Sequence, residues 1–162
     1  MHRISQSARI SPLADLEDSV RGSVLTVGDD SQIDAFVKIK FVGGSGDVTI
    51  GSHSYLNSGT LIYSGNGVTI GDDVLVAGNT TFAATNHEYR DRSKPIRTQG
   101  FMPSRGGIVV EDDVWIGSGV VLLDGAHVGR GAVVAAGSVV SGNVEPYAVV
   151  GGSPLRVLKR RK

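Results

Sequence analysis

The sequence predicts an all-β fold, a three-sided prism of short parallel strands that stack along the chain. Two observations predict this fold. Small or aliphatic residues recur every six positions from Ile108 onward, and glycine accounts for 23 of the 162 residues, about twice the usual ~7%. A six-residue unit is too short for a helix with its connection, but it accommodates two or three extended residues and a bend. Three such units would complete one turn of a solenoid in which only neighbouring coils touch.

The hexad positions that follow Ile108 define the predicted interior. They are Val110, Ile116, Leu122, Val128, Val134 and Val140, and Pro146 falls in the same phase. Alternate side chains of a strand face opposite sides, so one aliphatic residue per unit lines the interior while its neighbours face solvent. Glycine supplies the unusual dihedral angles of the corners, and acidic pairs beside them suit turn hydrogen bonding. These pairs are Asp29-Asp30, Asp72-Asp73 and Asp112-Asp113.

The same register extends upstream. Val48–Ile50 recurs as Val68–Ile70 twenty residues later, and the two additional residues fit a Ser-Gly-Asn-Gly turn at 64–67. The phase continues through Leu56, Ile62, Val76 and Phe82, with a weaker echo at Val27, Ile33 and Ile39. A β-sandwich, the alternative all-β architecture, would show strands at irregular spacings.

Two segments leave the register, an inserted loop at 88–107 and a C-terminal extension at 154–162, within one predicted domain at 1–162. The loop reads as irregular and locally basic, with Arg90, Arg92, Lys94, Arg97 and Arg105 against Glu88 and Asp91. We expect such a long excursion to be functional, covering a site and favouring an anionic sugar through Arg90 and Arg97. The alternative is a solvated loop whose Phe101-Met102 pair docks on a neighbouring subunit.

Composition excludes several classes of function. The 16 basic residues balance the 16 acidic ones, which argues against a nucleic-acid-binding scaffold. The absence of cysteine excludes disulfides, zinc-thiolate sites and cysteine nucleophiles. No apolar stretch is long enough for a signal peptide or a membrane span, so the sequence predicts a cytoplasmic protein without membrane insertion.

The four histidines differ in their predicted surroundings. His2 is expected to fray at the terminus, and His53 and His127 fall at bend or face positions that suit exposed side chains. His87 ends the last regular hexad before the loop, where an imidazole can act as a general base in a cleft. From position alone, an exposed loop histidine is the competing interpretation.

Several segments carry a family resemblance. They are residues 68–77, the Thr-Asn-His at 85–87, the Asp-Val-Trp-Ile-Gly at 113–117, and the endings at 136–140 and 151–157. In this order they resemble the hexapeptide-repeat acetyltransferases over roughly residues 25 to 162. The sequence is most similar to the short O-acetyltransferases that modify bacterial surface polysaccharides, and next to the galactoside and maltose acetyltransferases.

The resemblance implies a left-handed parallel β-helix and a homotrimer with active sites between adjacent prisms. It also implies acetyl coenzyme A as donor and a carbohydrate hydroxyl as acceptor. The periodicity alone does not supply this handedness, which runs against the right-handed rule for parallel crossovers. His87 matches the family's catalytic histidine, and Asn57 matches an asparagine that contacts the acceptor or the reacting oxygen. Glu88 is a candidate for orienting His87, although adjacent residues of an extended chain point apart, and a backbone carbonyl is the alternative.

The resemblance also implies a set of coenzyme-binding residues. Trp115 matches a tryptophan beside the active-site groove, and Ser118 and Ala136 match positions along the pantetheine arm. Ser141 belongs to the same set, and the Gly142 that follows it departs from a family pattern in which lysine is common. Within the basic cluster after Pro154, Arg156 and Lys159 are the predicted phosphate contacts.

Three other functions fit a hexapeptide prism. An N-acetyltransferase of a nucleotide-linked amino sugar would share the fold and the donor, but an amine has less need of a histidine base. A γ-type carbonic anhydrase would hold a metal on three histidines, two of them separated by four residues. Position 92 is Arg, so His87 lacks that partner and no metal is expected. A non-catalytic β-helix could dispense with both the long loop and His87.

Overall fold

Strands of two to five residues, each followed by a bend, build the computed structural model, which describes residues 2–162. In chain order they are β1 (His2–Ile4), β2 (Arg9–Ile10), β3 (Asp15–Leu16), β4 (Leu25–Val27), β5 (Gln32–Ile33), β6 (Lys38–Lys40), β7 (Val48–Ile50), β8 (Tyr55–Leu56), β9 (Leu61–Tyr63), β10 (Val68–Ile70), β11 (Leu75–Val76), β12 (Thr81–Ala83), β13 (Ile108–Val110), β14 (Trp115–Ile116), β15 (Val121–Leu123), β16 (His127–Val128), β17 (Val133–Val134), β18 (Val139–Val140), β19 (Asn143–Val144), β20 (Ala148–Gly151) and β21 (Arg156–Arg160). One 3-10 helix, Ile96–Thr98, lies in the long loop.

Every third strand belongs to the same sheet, so the chain winds around three flat faces. The first sheet has the order β1-β4-β7-β10-β13-β16-β19, the second β2-β5-β8-β11-β14-β17-β20-β21, and the third β3-β6-β9-β12-β15-β18. Successive coils pair in parallel, as where Val68 lies opposite both Val48 and Ile108. The protein is a left-handed parallel β-helix, as the resemblance predicts.

The interior is a stack of aliphatic layers with one aromatic ring. Leu56, Ile62, Phe82, Ile116 and Leu122 are fully buried, and the six hexad positions from Val110 to Val140 are buried as predicted. Their strand neighbours point outward, which leaves the interior apolar and narrow. The register predicted from the hexads is therefore confirmed for the central coils.

Two of the three edges of the prism have corners of constant length. At the first edge, between the first and second sheets, the corners before β19 have four residues, as at 51–54, 71–74 and 111–114. The Oδ1 atom of Asp72 accepts a hydrogen bond from the Ser52 amide at 2.7 Å, and that of Asp112 accepts one from the Asp72 amide at 2.9 Å. The acidic pairs thus tie each corner to the coil before it, which confirms their predicted role in turns.

All variation in coil length occurs at the third edge, where the chain returns from the third sheet to the first. The connections there include 41–47, 64–67 and 84–107, whereas the second edge repeats four-residue corners such as 57–60, 77–80 and 117–120. An insertion at a corner leaves the ladders on both sides in register, since it adds no residue to a strand. The long loop is the largest of these insertions.

Two predictions about the ends of the prism are wrong. Pro146 is exposed, and Val144 takes the interior position instead, because Val128 pairs with Val144 and the last coil is two residues shorter than the repeat. His2 is not frayed: it lies in β1 opposite Leu25, and its Nε2 is 3.2 Å from the Glu17 carbonyl oxygen. The N-terminal coils therefore begin well before residue 25.

The C-terminal extension is largely a strand. β21 adds to the edge of the second sheet, antiparallel to β20. Arg161 then donates through Nη1 to the Asp113 carboxylate at 3.0 Å and to the Gly131 carbonyl oxygen at 2.9 Å. These contacts clamp the end of the chain onto the central coils. Among residues 2–162, no helix has the length and apolar character needed to cross a membrane.

Replacement of Phe82 by alanine tests the interior packing. Phe82→Ala should lower the free energy of unfolding by about 3–5 kcal/mol, because it removes a fully buried ring between Ile62 and Leu122. Thr69→Ala, which changes an exposed outward side chain of β10, should cost less than about 0.5 kcal/mol. Urea unfolding at one protein concentration measures both values, and equal losses would contradict the assignment of interior and exterior.

Candidate active site

His87 lies at the base of the long loop, on the third edge of the prism. Its backbone forms an isolated antiparallel bridge with Phe101. Two hydrogen bonds flank this bridge: the Met102 amide donates to the Asn86 carbonyl oxygen at 2.8 Å, and the Glu88 amide donates to the Gly100 carbonyl oxygen at 3.0 Å. The imidazole packs on the Phe101 ring with 4.8 Å between centroids. The two ends of the loop therefore hold each other, and His87 is positioned by a short hairpin neck.

The loop beyond this neck contains one 3-10 helix and no strand, and its own hydrogen bonds hold it together. The Gln99 side chain donates to the carbonyl oxygens of Asp91 and Lys94 at 2.8 and 3.0 Å, and its Oε1 accepts from the Asp91 amide at 3.1 Å. Asp91 Oδ1 in turn accepts from the Ser93 amide at 2.9 Å. The loop is thus a folded cap.

Asp124 fastens the returning end of the loop, and the sequence analysis missed it. The carboxylate is 1% exposed and accepts hydrogen bonds from the amides of Arg105 and Gly107, each at 2.8 Å, and from the Asn66 side chain at 3.1 Å. A buried carboxylate is tolerated only when its oxygens are satisfied in this way. The available sequence signal was an aspartate at a corner whose flanking strands are rich in aliphatic residues.

Two cavities meet at His87. The larger, about 770 Å³, is formed by residues of the loop and its neck, and its lining includes His87, Tyr89, Arg90, Ile96 and Arg105. The smaller, about 390 Å³, lies on the outside of the third sheet and is lined by Val42, Tyr63, Ala83, Thr85, His87 and Phe101. His87 is the residue that these two linings share, so its imidazole can face ligands on both sides.

The loop cations are not equivalent. Glu88 Oε1 accepts from Arg90 Nε at 2.9 Å, and this pairing holds the pKa of Glu88 at about 2, against an ordinary value of 4.5. Lys94 Nζ lies 3.2 Å from the Asp91 carboxylate. Within the described chain, Arg92, Arg97 and Arg105 have no carboxylate at ion-pair distance. Glu88 is thus engaged by Arg90, and the expectation that it orients His87 is wrong.

The other predicted catalytic residue, Asn57, lies at a different edge. Asn57 begins a corner of the second edge, between the second and third sheets, and its Nδ2 donates to the Val76 carbonyl oxygen at 2.9 Å. Ser118 and Ala136 occupy the same edge, and the Ser118 hydroxyl donates to the Gly78 carbonyl oxygen at 2.8 Å. Ser141 instead lies on the third edge, where its carbonyl oxygen is 3.5 Å from Arg105 Nη2.

Trp115 lies on the outer face of the second sheet and is 54% exposed. It lines a cavity of about 510 Å³ with Leu75, Val133, Val149, Lys159 and Arg161. Arg156 opens β21 opposite Gly151 and is exposed. The structure thus brings Trp115 and Lys159 together, with Arg156 in the adjoining strand and Arg161 as a cation that the sequence analysis did not single out.

The predicted residues therefore fall into separate groups within one chain. His87 and Ser141 lie on the third edge, Asn57, Ser118 and Ala136 on the second edge, and Trp115 with the basic strand on the face of the second sheet. In a three-sided prism, the face of the second sheet is bounded by the first and second edges and does not reach the third. One copy of the chain therefore does not place Trp115 beside His87.

His53 and His127 occupy surface positions, as predicted. His53 sits at a first-edge corner, with ring nitrogens 3.6 Å from Asp30 and 3.8 Å from Asp73. His127 Nε2 lies 2.7 Å from Glu111 Oε1 on the outside of the first sheet. In residues 2–162, no three or more histidine, aspartate or glutamate side chains cluster in a way that could hold a metal ion.

The Glu88–Arg90 pair can be tested by titration. Carbon-13 NMR should follow the Glu88 carboxyl to a midpoint near pH 2, so the pair stays charged as the pH falls through 4.5 and is lost only near the lower value. Arg90→Gln should raise the Glu88 pKa toward 4.5, because the guanidinium is the main cause of the depression, whereas Arg92→Gln should leave it unchanged. An ordinary midpoint in the unaltered protein would contradict the pairing.

Comparisons with known proteins agree with this architecture. The family model described as bacterial transferase hexapeptide (six repeats) matches residues 107–142. Galactoside O-acetyltransferase of Escherichia coli is 33% identical over 143 residues, which cover 88% of this chain and 67% of that protein. WbbJ of Escherichia coli, which its name assigns to lipopolysaccharide biosynthesis as an O-acetyl transferase, is 30% identical over 144 residues, 86% of this chain and 70% of its own.

Solved structures extend the comparison. A hexapeptide-repeat containing acetyltransferase from Vibrio cholerae O1 biovar eltor, complexed with acetyl coenzyme A, superposes with a TM-score of 0.74 at 35% identity and covers 84% of this chain and 70% of that one. AntD, an N-acyltransferase from Bacillus cereus, shares the fold with a TM-score of 0.82 at 22% identity. The superposition covers 99% of this chain and 83% of the AntD chain. The chain belongs to the hexapeptide-repeat acetyltransferase family and is an acyltransferase.

Proposed function

We propose that this enzyme transfers an acetyl group from acetyl coenzyme A to a hydroxyl of a carbohydrate acceptor, with His87 as general base. The observation that carries the proposal is the position of His87 between two cavities, one within the loop and one on the third sheet. This position suits a two-substrate transfer, because acceptor and thioester can approach His87 from different sides. The acceptor occupies the larger cavity, within the loop.

His87 acts on the acceptor proton. The neutral imidazole removes the proton from the hydroxyl as the oxygen attacks the thioester carbonyl carbon. The new C–O bond forms, the C–S bond breaks, and the imidazolium returns the proton to the departing thiolate, so free coenzyme A leaves. General base catalysis of this kind typically contributes ~10²–10⁴ in rate. A sugar hydroxyl needs this help more than a neutral amine, which favours O- over N-acetylation.

The face of the second sheet suits the coenzyme. Trp115, Leu75 and Val133 give its cavity an apolar wall for the pantetheine arm, and Lys159 lies at the same cavity. Arg156 and Arg160 continue the basic strand on which the phosphates of the coenzyme would lie, where guanidinium groups offer paired donors. Arg161 is held by Asp113 and is less available. Ser118, Ala136 and Ser141 are assigned to the arm and Asn57 to the acceptor as part of the same proposal.

The active site is completed by a second copy of the chain. His87 on the third edge and Trp115 on the face of the second sheet act together only if the edge of one prism lies against that face of its neighbour. Because this contact joins two different surfaces, it repeats around a ring and closes when the rotation permits. We assign the ring three copies, each acting as a single domain over residues 1–162, with the loop 88–107 as its cap.

Removal of the imidazole tests the general base. His87→Ala should reduce turnover by ~10²–10⁴-fold while coenzyme A binding, measured by calorimetry, stays within twofold. His127→Ala, an exposed histidine on another face, should leave turnover unchanged. Thiol release with matched hydroxy and amino sugars gives the rates, and product analysis identifies the acetylated atom. Undiminished turnover in His87→Ala, or acetylation of nitrogen alone, would contradict the proposal.

Mixing of inactive variants tests the shared site. Co-expressed His87→Ala and Trp115→Ala chains should regain activity, because some sites combine an intact histidine from one copy with an intact tryptophan from the next. Random assembly gives about a quarter of the wild-type turnover per site. The matched control pairs His87→Ala with a chain that carries both substitutions and should stay inactive. No recovery from two variants that are each folded and inactive would place the whole site in one copy.

A further inference from the structure

A buried carboxylate that the transfer reaction does not use fixes one wall of the His87 cavity. Asp124 accepts from two backbone amides, those of Arg105 and Gly107, and its neighbour Gly125 donates to the Gly107 carbonyl oxygen at 2.6 Å. Charge-assisted hydrogen bonds of this kind are the strong ones in proteins. They join residues 105–107 to the corner at 124–126 and hold this end of the loop against the prism.

Close packing restricts the same segment from the opposite side. Gly107 has φ +75, and a Cβ atom built on it would lie 2.4 Å from the Gly67 carbonyl oxygen. Only glycine fits this approach, so residues 105–107 are pressed between the corner of Gly67 and that of Asp124. The backbone that carries the Arg105 side chain is therefore held in place on both sides, whereas Arg92 and Lys94 lie in the part of the loop beyond the neck.

Arg105 is the unpaired cation of the cavity. Of the two arginines in the lining, Arg90 is engaged by Glu88, and Arg105 has no carboxylate at ion-pair distance among residues 2–162. Among residues 2–162, its guanidinium contacts the Ser141 carbonyl oxygen at 3.5 Å. Arg97, expected to contribute, is not part of the cavity lining, and Arg90 is paired with Glu88. Arg105 is thus the arginine of this lining that has no acidic partner.

We infer that Arg105 is a specificity-determining residue, which binds a carboxylate or phosphate carried by the acceptor sugar, and that Asp124 is its positioning residue. The inference rests on the proposed function, because it places the acceptor in the cavity that His87 and Arg105 share. A guanidinium offers a planar pair of donors that matches both anionic groups. The exposed ring of Tyr89 and the side chain of Ile96 supply an apolar wall for the sugar.

Acceptor kinetics test Arg105. Thiol release is measured with glucose, glucuronate and glucose 6-phosphate for the wild type, Arg105→Gln and the control Arg92→Gln, a loop arginine outside the cavity lining. Arg105→Gln should raise KM for glucuronate or glucose 6-phosphate at least tenfold, with kcat and the values for glucose within twofold. Arg92→Gln should change none of them by more than twofold. The sugar with the lower wild-type KM identifies carboxylate or phosphate as the anion.

Two outcomes separate the inference from the proposed function. The inference is wrong, and acetyl transfer stands, if the wild type has the same kcat/KM for glucose as for the anionic sugars. The same holds if Arg105→Gln changes KM for all acceptors equally. If no sugar supports thiol release, the proposed function fails. In that case, binding of glucuronate or glucose 6-phosphate, measured by NMR, tests the anion site separately. The wild type should bind one of these sugars and Arg105→Gln should not. A wild type that binds neither would overturn the site.

A double substitution separates positioning by Asp124 from a general structural role. Asp124→Asn should raise the ratio of KM for the anionic sugar to KM for glucose, because an amide cannot accept from both backbone donors as the carboxylate does. In the Arg105→Gln background, the same substitution should leave this ratio unchanged within twofold. A further rise there, or a fall in kcat for glucose in Asp124→Asn alone, would show that Asp124 does not act through Arg105.

Discussion

The in-register stacking of parallel strands is the constraint on which the rest of this structure depends. Each strand pairs with the strand one coil away at the same position of the repeat, so a residue added to a strand would displace every side chain after it to the wrong face. Length can therefore change only at a corner. In this protein the first and second edges keep their four-residue corners, and the third edge holds the insertions at 41–47 and 84–107.

The chemistry follows from that division between edges. The insertion at the third edge supplies a cap, and its neck at Phe101 positions His87 at the junction of two cavities. The constant second sheet supplies a flat apolar face to which β21 adds cations. The prism separates these two surfaces within one chain, so the proposed active site needs two copies of the chain to join them. The ladder thus explains why each surface stays at its own position along the prism.

Sequence periodicity predicts the central coils because interior residues such as Ile116 and Leu122 repeat with the strands that carry them. It fails at Pro146, because a shortened corner moves Val144 inward and no local signal marks the missing residues. His87 was identified through its family context rather than its position. Asp124 was missed because its partners lie 17 to 58 residues away, and such contacts depend on how coils stack. The basic composition of the loop likewise did not distinguish paired Arg90 from unpaired Arg105.

In the proposed assembly, the donor lies on the second sheet of one copy and reaches His87 of another. A structure of the assembled protein with coenzyme A bound tests this arrangement. The pantetheine arm should follow Trp115, the phosphates should lie on β21, and the thiol should end beside His87 of a neighbouring copy. A thiol that ends away from His87, or an arm that contacts Trp115 and His87 of the same copy, would contradict it.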